Sequence, residues 1–264
     1  MPPRVVELDD PGIARHFFCE DPDVHLYGLA DLEDPIWSLS RWFALERGGV
    51  TKAVAGIVGL PDSEDRIFYA QGRAGDIDVA LLGGEIASEI PDGCLATLAH
   101  GVESHLDGLE LQLEGSFQRM ILRGASRLPE QSVGVIHVGT GALPAMRKLI
   151  AAEQNANMFL SPAMFADVDY RVVWEGPDLV AMAGVHVLSE SGGVAAIGNV
   201  LTASAHRREG LATLLVGDLA GELCGRVDLV GLNHRVTNTA AQRCYERLGF
   251  EPVHTYVEGR LLVT

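Results

Sequence analysis

The sequence is poor in what several protein classes need. It has four cysteines in 264 residues, Cys19, Cys94, Cys224 and Cys244, and no two stand in CxxC spacing. That excludes a disulfide framework as the organising device, and thiols scattered in this way fit a reducing compartment. The nine histidines are dispersed, with no HxH or HExxH pair, so no metal site is expected. Positive charge is scarce: 20 Lys and Arg stand against 36 Asp and Glu, a formal charge of −16. No basic run exceeds a pair such as Arg207-Arg208, so nucleic acid, which demands a basic surface to displace counterions from phosphates, is not expected as a partner. No apolar run approaches the roughly 18 residues of a membrane span, and the N-terminus lacks the apolar core of a signal peptide. A cytoplasmic protein without a membrane partner is expected.

What is present is ordinary folded-protein material. Hydrophobic residues make up 47% and charged residues 21%, enough for a sizeable core, and the length suits two domains better than one. The acidic excess lies mostly in the first half. Two accounts of it stay open at this point: solubility, or attraction of a cationic amine substrate.

Along the first half, residues 10–20 and 24–32 look helical, and 37–44 form an aromatic-rich stretch leading into a strand. Residues 50–60 and 66–70 read as strands from their β-branched content. Residues 77–90 and 93–106 read as a helix and its successor around a Pro-Asp-Gly turn, and 109–122 as a strand or two. The polar stretch 124–132, GASRLPEQS, reads as a linker. Beyond it a strand is expected at 133–138 and an amphipathic helix at 141–154, with Leu143, Met146, Leu149 and Ile150 on one side. Strands at 170–174, 179–188 and 194–202 precede a helix at 208–224, a strand at 227–232, and a helix at 239–248 closed by Gly249. Two strands, 250–254 and 256–263, end the chain. The expectation is an α/β (α+β) protein with a mixed sheet, an N-terminal domain over 1–123 and a second domain over 133–264.

Chemistry concentrates in the segment VLTASAHRREGLAT, residues 200–213. A strand ends, a basic turn follows and a helix begins. In Arg207-x-x-Gly210-x-Ala212, small residues occupy two alternate positions at a helix N-terminus, where backbone N–H groups lack intrahelical partners and the dipole is positive. Such a terminus binds anions, and small residues let a pyrophosphate approach. The plainer account is an ordinary strand–turn–helix. A second segment, Asn238-x-x-Ala241-x-x-x-Tyr245-x-x-x-Gly249-Phe250, follows the next strand. Asn238 is placed to cap that helix, and Asn238, Ala241 and Tyr245 share one face. The plainer account of Tyr245 is a core tyrosine packing the helix, and of Asn238 a plain helix cap.

The two segments in this order resemble the GNAT superfamily of N-acetyltransferases. Its pyrophosphate loop is matched by Arg207, Gly210 and Ala212, and its later motif by Asn238, Ala241, Tyr245, Gly249 and Phe250. The resemblance covers roughly the second half of the chain. It implies a mostly antiparallel sheet flanked by helices, with the N-terminal domain as a looser, degenerate copy of the same fold. It also implies transfer of an acyl group, acetyl above all, from acyl-CoA to a primary amine by direct attack in a ternary complex. Acetyl-CoA is then the co-substrate and no metal is used. Backbone groups of Val200, Leu201 and Thr202 would hold the pantetheine arm and thioester oxygen. Arg207, Arg208, Gly210, Leu211, Ala212 and Thr213 would hold the pyrophosphate. Asn238 would contact the cofactor, and Tyr245 would protonate the leaving thiolate. Where many relatives place a glutamate on the fourth strand, this chain has Gly198 followed by Asn199, and His186 on the preceding strand is a substitute by position alone. Glu209 departs from the pattern by setting a carboxylate beside the expected pyrophosphate. The missing acid keeps a second reading open, an acyl-CoA-binding regulatory protein on the same fold. A third reading, a protein-modifying acetyltransferase, would use the acidic surface to dock a lysine-rich tail.

Overall fold

The computed structural model describes residues 2–61, 63–73, 75–125, 128, 134–153, 158 and 160–264. Most of the expected linker at 124–132 lies outside the described residues. The elements in chain order are β1 (Arg4–Leu8), α1 (Pro11–Glu20), α2 (Pro22–Ala30), α3 (Ile36–Leu39), β2 (Arg41–Arg47), β3 (Val50–Gly59), β4 (Arg66–Ala70), α4 (Ile77–Glu85), β5 (Cys94–Ala99), β6 (Leu109–Leu122), β7 (Ile136–Val138), α5 (Leu143–Ala152), β8 (Tyr170–Glu175), β9 (Asp178–Ser189), β10 (Val194–Thr202), α6 (Leu211–Leu223), β11 (Leu229–Arg235), α7 (Thr239–Arg247) and β12 (Glu251–Val263). Among the described residues no helix is long and apolar enough to cross a membrane.

The chain forms two compact units that are not contiguous in sequence. Met1–Arg119, His234–Thr237 and Val253–Thr264 make the first; Met120–Asn233 and Asn238–Pro252 make the second. In the first unit the strands run in the order β1-β2-β3-β4-β5-β12-β6. All of the first four pair antiparallel; β4 and β5 are parallel and joined through α4. Alternation along β2 and β3 divides the core between the two faces of the sheet. Phe43, Leu45, Ala53, Ala55 and Ile57 pack toward Val79 and Leu82 of α4. On the other side Trp42 meets Phe18 of α1 and Tyr69 of β4 edge-on, with centroids 5.7 and 5.8 Å apart.

In the second unit the order is β11-β10-β9-β8-β7. Again the early strands are antiparallel, and β10 and β11 are parallel and joined through α6. Both units therefore repeat one plan: a leading strand, helical segments, three antiparallel strands, then a helix crossing to a parallel strand. Helix α5 covers one face through Met146 and Leu149 against Tyr170, Val172 and Met182. Helices α6 and α7 cover the other through Leu215, Val216, Leu219, Tyr245 and Leu248 against Ala181, Ala183, Val185, Ala195 and Ile197.

Two expectations from the sequence are corrected. Residues 93–106 do not continue as a helix. Cys94–Ala99 is strand β5, parallel to β4 and antiparallel to β12, from Tyr256↔Ala99 to Leu261↔Cys94. Its alternation of buried and half-buried positions is that of a strand, and partners distant in sequence decide for it. The two expected C-terminal strands, 250–254 and 256–263, are the single strand β12, Glu251–Val263, whose Tyr256–Leu261 stretch pairs with β5.

Two of the histidines buried in the first unit, His25 and His254, are held neutral. His25 Nδ1 lies 2.9 Å from the Tyr69 hydroxyl, and His254 Nε2 lies 2.8 Å from Gln71 Oε1. Burial above all, then Arg119, lowers both pKa values to about 3. An unfolded histidine takes up its proton near pH ~6.5, so below that pH the unfolded chain binds more protons than the folded one and stability falls until about pH 3. Asp31, raised to about 7 by burial, and Glu258, also raised by burial, oppose this, while His186, lowered by burial, adds to it. The urea midpoint is therefore expected to drop between pH 7 and pH 5, and to drop less in His254→Gln. An unchanged wild-type midpoint would contradict this account.

Candidate functional site

The site is built on strand β10 and the helix that follows it. The parallel ladder with β11 runs from Val194↔Leu229 to Ile197↔Leu232 and ends there, while β10 continues to Thr202. On its other side the ladder with β9 slips register between Gly198 and Leu201. Asn199, inside that slip, has φ +50, one of two non-glycine residues with positive φ among those described. The other is Arg208, at φ +71, in the turn before α6. Strained backbone of this kind persists only where the surroundings hold it, and it clusters at functional sites. Val200, Leu201 and Thr202 are half-buried along this stretch.

Helix α6 starts on Gly210, which is left-handed at φ +84 and supplies no capping side chain. A glycine enters that conformation at no steric cost. Leu214 N–H donates to the Gly210 carbonyl at 3.0 Å as the first intrahelical bond. The N–H groups of Leu211, Ala212 and Thr213 thus stand at the positive end of a thirteen-residue helix, and a side chain added at Gly210 would meet nothing within 4 Å. This is an open cradle for an anion.

The arginines take different parts. Arg207 donates from Nη2 to the Glu153 carboxylate at 2.6 Å and from Nε to the Thr202 carbonyl at 3.4 Å. Glu153 also accepts from the backbone N–H and the hydroxyl of Ser204, both at 2.7 Å. These bonds, those from Ser204 foremost, hold its carboxyl below the usual range. Arg207 therefore braces the turn as well as charging it, and Arg208 is exposed. Neither Glu153 nor Ser204 could be found from the motif, since Glu153 reaches the loop from more than fifty residues away. Glu209 places its carboxylate 3.5 Å from His206 Nδ1, while His206 Nε2 lies 3.3 Å from Glu175.

On α7, the Asn238 side chain accepts from Ala241 N–H at 3.1 Å and caps the helix. Tyr245 is buried, its ring centroid 6.2 Å from that of Phe250. Burial, with Cys244 adding to it, pushes the phenol far above its ordinary pKa. Tyr245 belongs to the apolar cluster against which Val200, Leu211 and Ala241 pack. Thr213 Oγ1 lies 3.1 Å from Cys244 Sγ, joining the start of α6 to α7. The end of β10, the start of α6 and the tyrosine face of α7 thus converge within the second unit. Among the described residues no group of three or more His, Cys, Asp or Glu side chains is placed to hold a metal.

Residues 146–250 match the model of the acetyltransferase (GNAT) family, and this stretch is a GNAT acetyltransferase domain. Solved structures extend the likeness of fold over the whole chain. A Drosophila protein aligns with 98% of each chain at a TM-score of 0.70 and 11% identity. A GCN5-related N-acetyltransferase from Sphaerobacter thermophilus aligns with 98% of this chain and 96% of its own at 0.58 and 16%. A tandem GNAT protein from the clavulanic acid biosynthesis pathway aligns with 98% of each at 0.57 and 15%. At these identities the likeness is one of fold. In fold, the likeness to that tandem GNAT protein spans both units. No curated protein sequence matches the chain.

Proposed function

We propose that the second unit binds acyl-CoA and transfers its acyl group, acetyl by preference, to a primary amine. The observation that carries this is the uncapped start of α6 at Gly210 in the one matched stretch where Val200 and Tyr245 share a cluster. The N–H groups of Leu211, Ala212 and Thr213 take the pyrophosphate, with Arg207 and Arg208 adding positive charge. The backbone of Val200, Leu201 and Thr202 takes the pantetheine arm and thioester oxygen. Asn238 stands at the cap of α7 facing the cofactor. Tyr245, kept protonated by burial, gives its proton to the departing sulfur as charge gathers there. This machinery falls within residues 133–264 and within the second compact unit, Met120–Asn233 with Asn238–Pro252. The acidic excess suits a cationic amine.

Release of free thiol from acetyl-CoA across a panel of primary amines tests the reading. Acetyl-CoA binding without release for any amine would leave the alternative, a regulatory acyl-CoA-binding protein. Tyr245→Phe is expected to lower turnover about 100-fold with nearly unchanged acetyl-CoA affinity. An unaltered rate would remove Tyr245 as the acid.

A further inference from the structure

An alkylamine is almost wholly an ammonium ion at neutral pH, since its pKa lies near ~10. An ammonium nitrogen has no electron pair with which to attack a thioester. Some group must take that proton, and Gly198 has no side chain to do it.

The space Gly198 leaves is filled. A Cβ built there would lie 2.2 Å from His186 Nε2 and Cδ2 and 2.4 Å from Cε1. The ring of His186, from the neighbouring strand β9, lies flat against the glycine. His186 falls at a slip in the β9–β10 ladder, between Val185↔Ile197 and Val187↔Ala196, and this extra residue lets its side chain reach across. The ring is also oriented. It is hydrogen-bonded to Asn199, whose amide donates to the Tyr170 hydroxyl at 2.9 Å. Asn199 is buried and held at φ +50 in the bulge, so ring, amide and phenol form one polar chain through an otherwise apolar face. His186 itself keeps solvent-accessible surface. It is crowded by protein at the same time, which lowers its pKa, while the Asn199 bond opposes the shift. Burial outweighs the bond, so the net shift is downward and leaves the ring neutral, and so able to accept, near pH 7. Gly198 stands two residues before Val200 on the same strand, across the bulge at Asn199.

We propose that His186, seated over Gly198 and oriented by Asn199, is the proton acceptor for the amine substrate. The inference rests on the transferase reading above. The substrate ammonium gives one proton to the neutral imidazole, which becomes imidazolium. The freed nitrogen pair forms the C–N bond, the C–S bond breaks, and the second nitrogen proton ends on sulfur. His186 then returns its proton to water. The net products are amide, free thiol and one proton. Around His186 the groups that set its titration are Asn199 on β10 and, through it, Tyr170 on β8, whose phenol burial raises to about 12. Among the described residues no charged side chain contributes to the shift of His186.

The test compares wild type with His186→Gln on two acceptors, each with acetyl-CoA. One is the fastest alkylamine of the panel. The other is hydroxylamine, which is largely unprotonated at neutral pH. His186→Gln is expected to slow the alkylamine at least tenfold and hydroxylamine less than threefold, with acetyl-CoA affinity by calorimetry unchanged. The alkylamine rate of the wild type is expected to fall on acidification with the midpoint read for His186 by NMR titration. Asn199→Gly, which keeps the positive-φ backbone and removes the bond that raises the pKa, should move both midpoints to lower pH together. Equal loss on both acceptors, or a full alkylamine rate in His186→Gln, would overturn the assignment. A wild type that releases no thiol with any amine would overturn the transferase reading, and this inference with it.

Discussion

Gly210→Glu is expected to abolish acetyl-CoA binding, by about a thousandfold or more in Kd. Two effects add. The residue is held at φ +84, where any side chain is strained by about 1–3 kcal/mol. More important, a carboxylate would stand at the N-cap of α6, beside the N–H groups proposed to receive the pyrophosphate. Two like charges about 4 Å apart repel by about 4 kcal/mol at an effective dielectric near 20, which is about a thousandfold in affinity. The first unit contains the comparison within the same chain. Its helix α4 occupies the same place in the βαβ plan, but Asp76 caps it, accepting from Asp78 N–H at 3.0 Å and Val79 N–H at 3.2 Å. There a carboxylate already sits where an anion would bind, and Asp78 adds another in the first turn. The repeat has thus kept an open helix start in one unit and closed it in the other. Calorimetry with acetyl-CoA on Gly210→Glu and Gly210→Ala separates charge from strain: the alanine variant should lose far less. Binding by the glutamate variant within threefold of wild type would mean that α6 does not receive the pyrophosphate.

Arg171→Ala is expected to destabilise the protein by about 3 kcal/mol. Arg171 stands on β8 with only 2% of its side chain exposed. It donates to Asp218 Oδ2 and to the Asp169 carbonyl, both at 2.7 Å, and to Glu222. Asp218 and Glu222 lie one turn apart on α6, so the guanidinium ties that helix to β8 through two acids at once. Removing the cation leaves two neighbouring carboxylates without it and a hole the size of an arginine stem. Breaking such a pair from one side costs about 3–5 kcal/mol. The carboxylates retain side-chain exposures of 22% and 39%, so water can partly replace the arginine and the low end applies. Arg171→Lys should recover only part of the loss, because an ammonium cannot span both carboxylates as the fork does. Urea unfolding measures all three proteins. A loss below 1 kcal/mol for the alanine variant would mean the pairs contribute little beyond their own desolvation.

Much of the second unit was legible in the sequence because its signals are local. Strands β8, β9 and β10 and helix α5 follow from alternation and helical spacing within ten or so residues. Gly249 at φ +94 and Asn238 as a cap for α7 follow from rules that involve only the next turn of chain. The loop motif placed Gly210 at the start of α6, and the departure at Gly198 was visible as a missing acid. The first half carried weaker signals. Its leading strand β1 went unseen, and Cys94–Ala99 looked helical because its small apolar residues suit either state.

What remained hidden depends on residues brought together from far along the chain. By itself the sequence determined the class of fold of the second half, the candidate acyl-CoA segment, and that Gly198 cannot accept a proton. Only the tertiary structure decided that Val253–Thr264 returns to the first unit, that Arg207 is braced by Glu153, that Arg171 reaches two acids of α6, and that His186 fills the space over Gly198. The physical reason is the same in each case. Short-range patterns constrain φ and ψ and the side of an element that faces the core. Register slips, ion pairs and the filling of a void beside a glycine are set by partners whose separation in sequence carries no periodic trace.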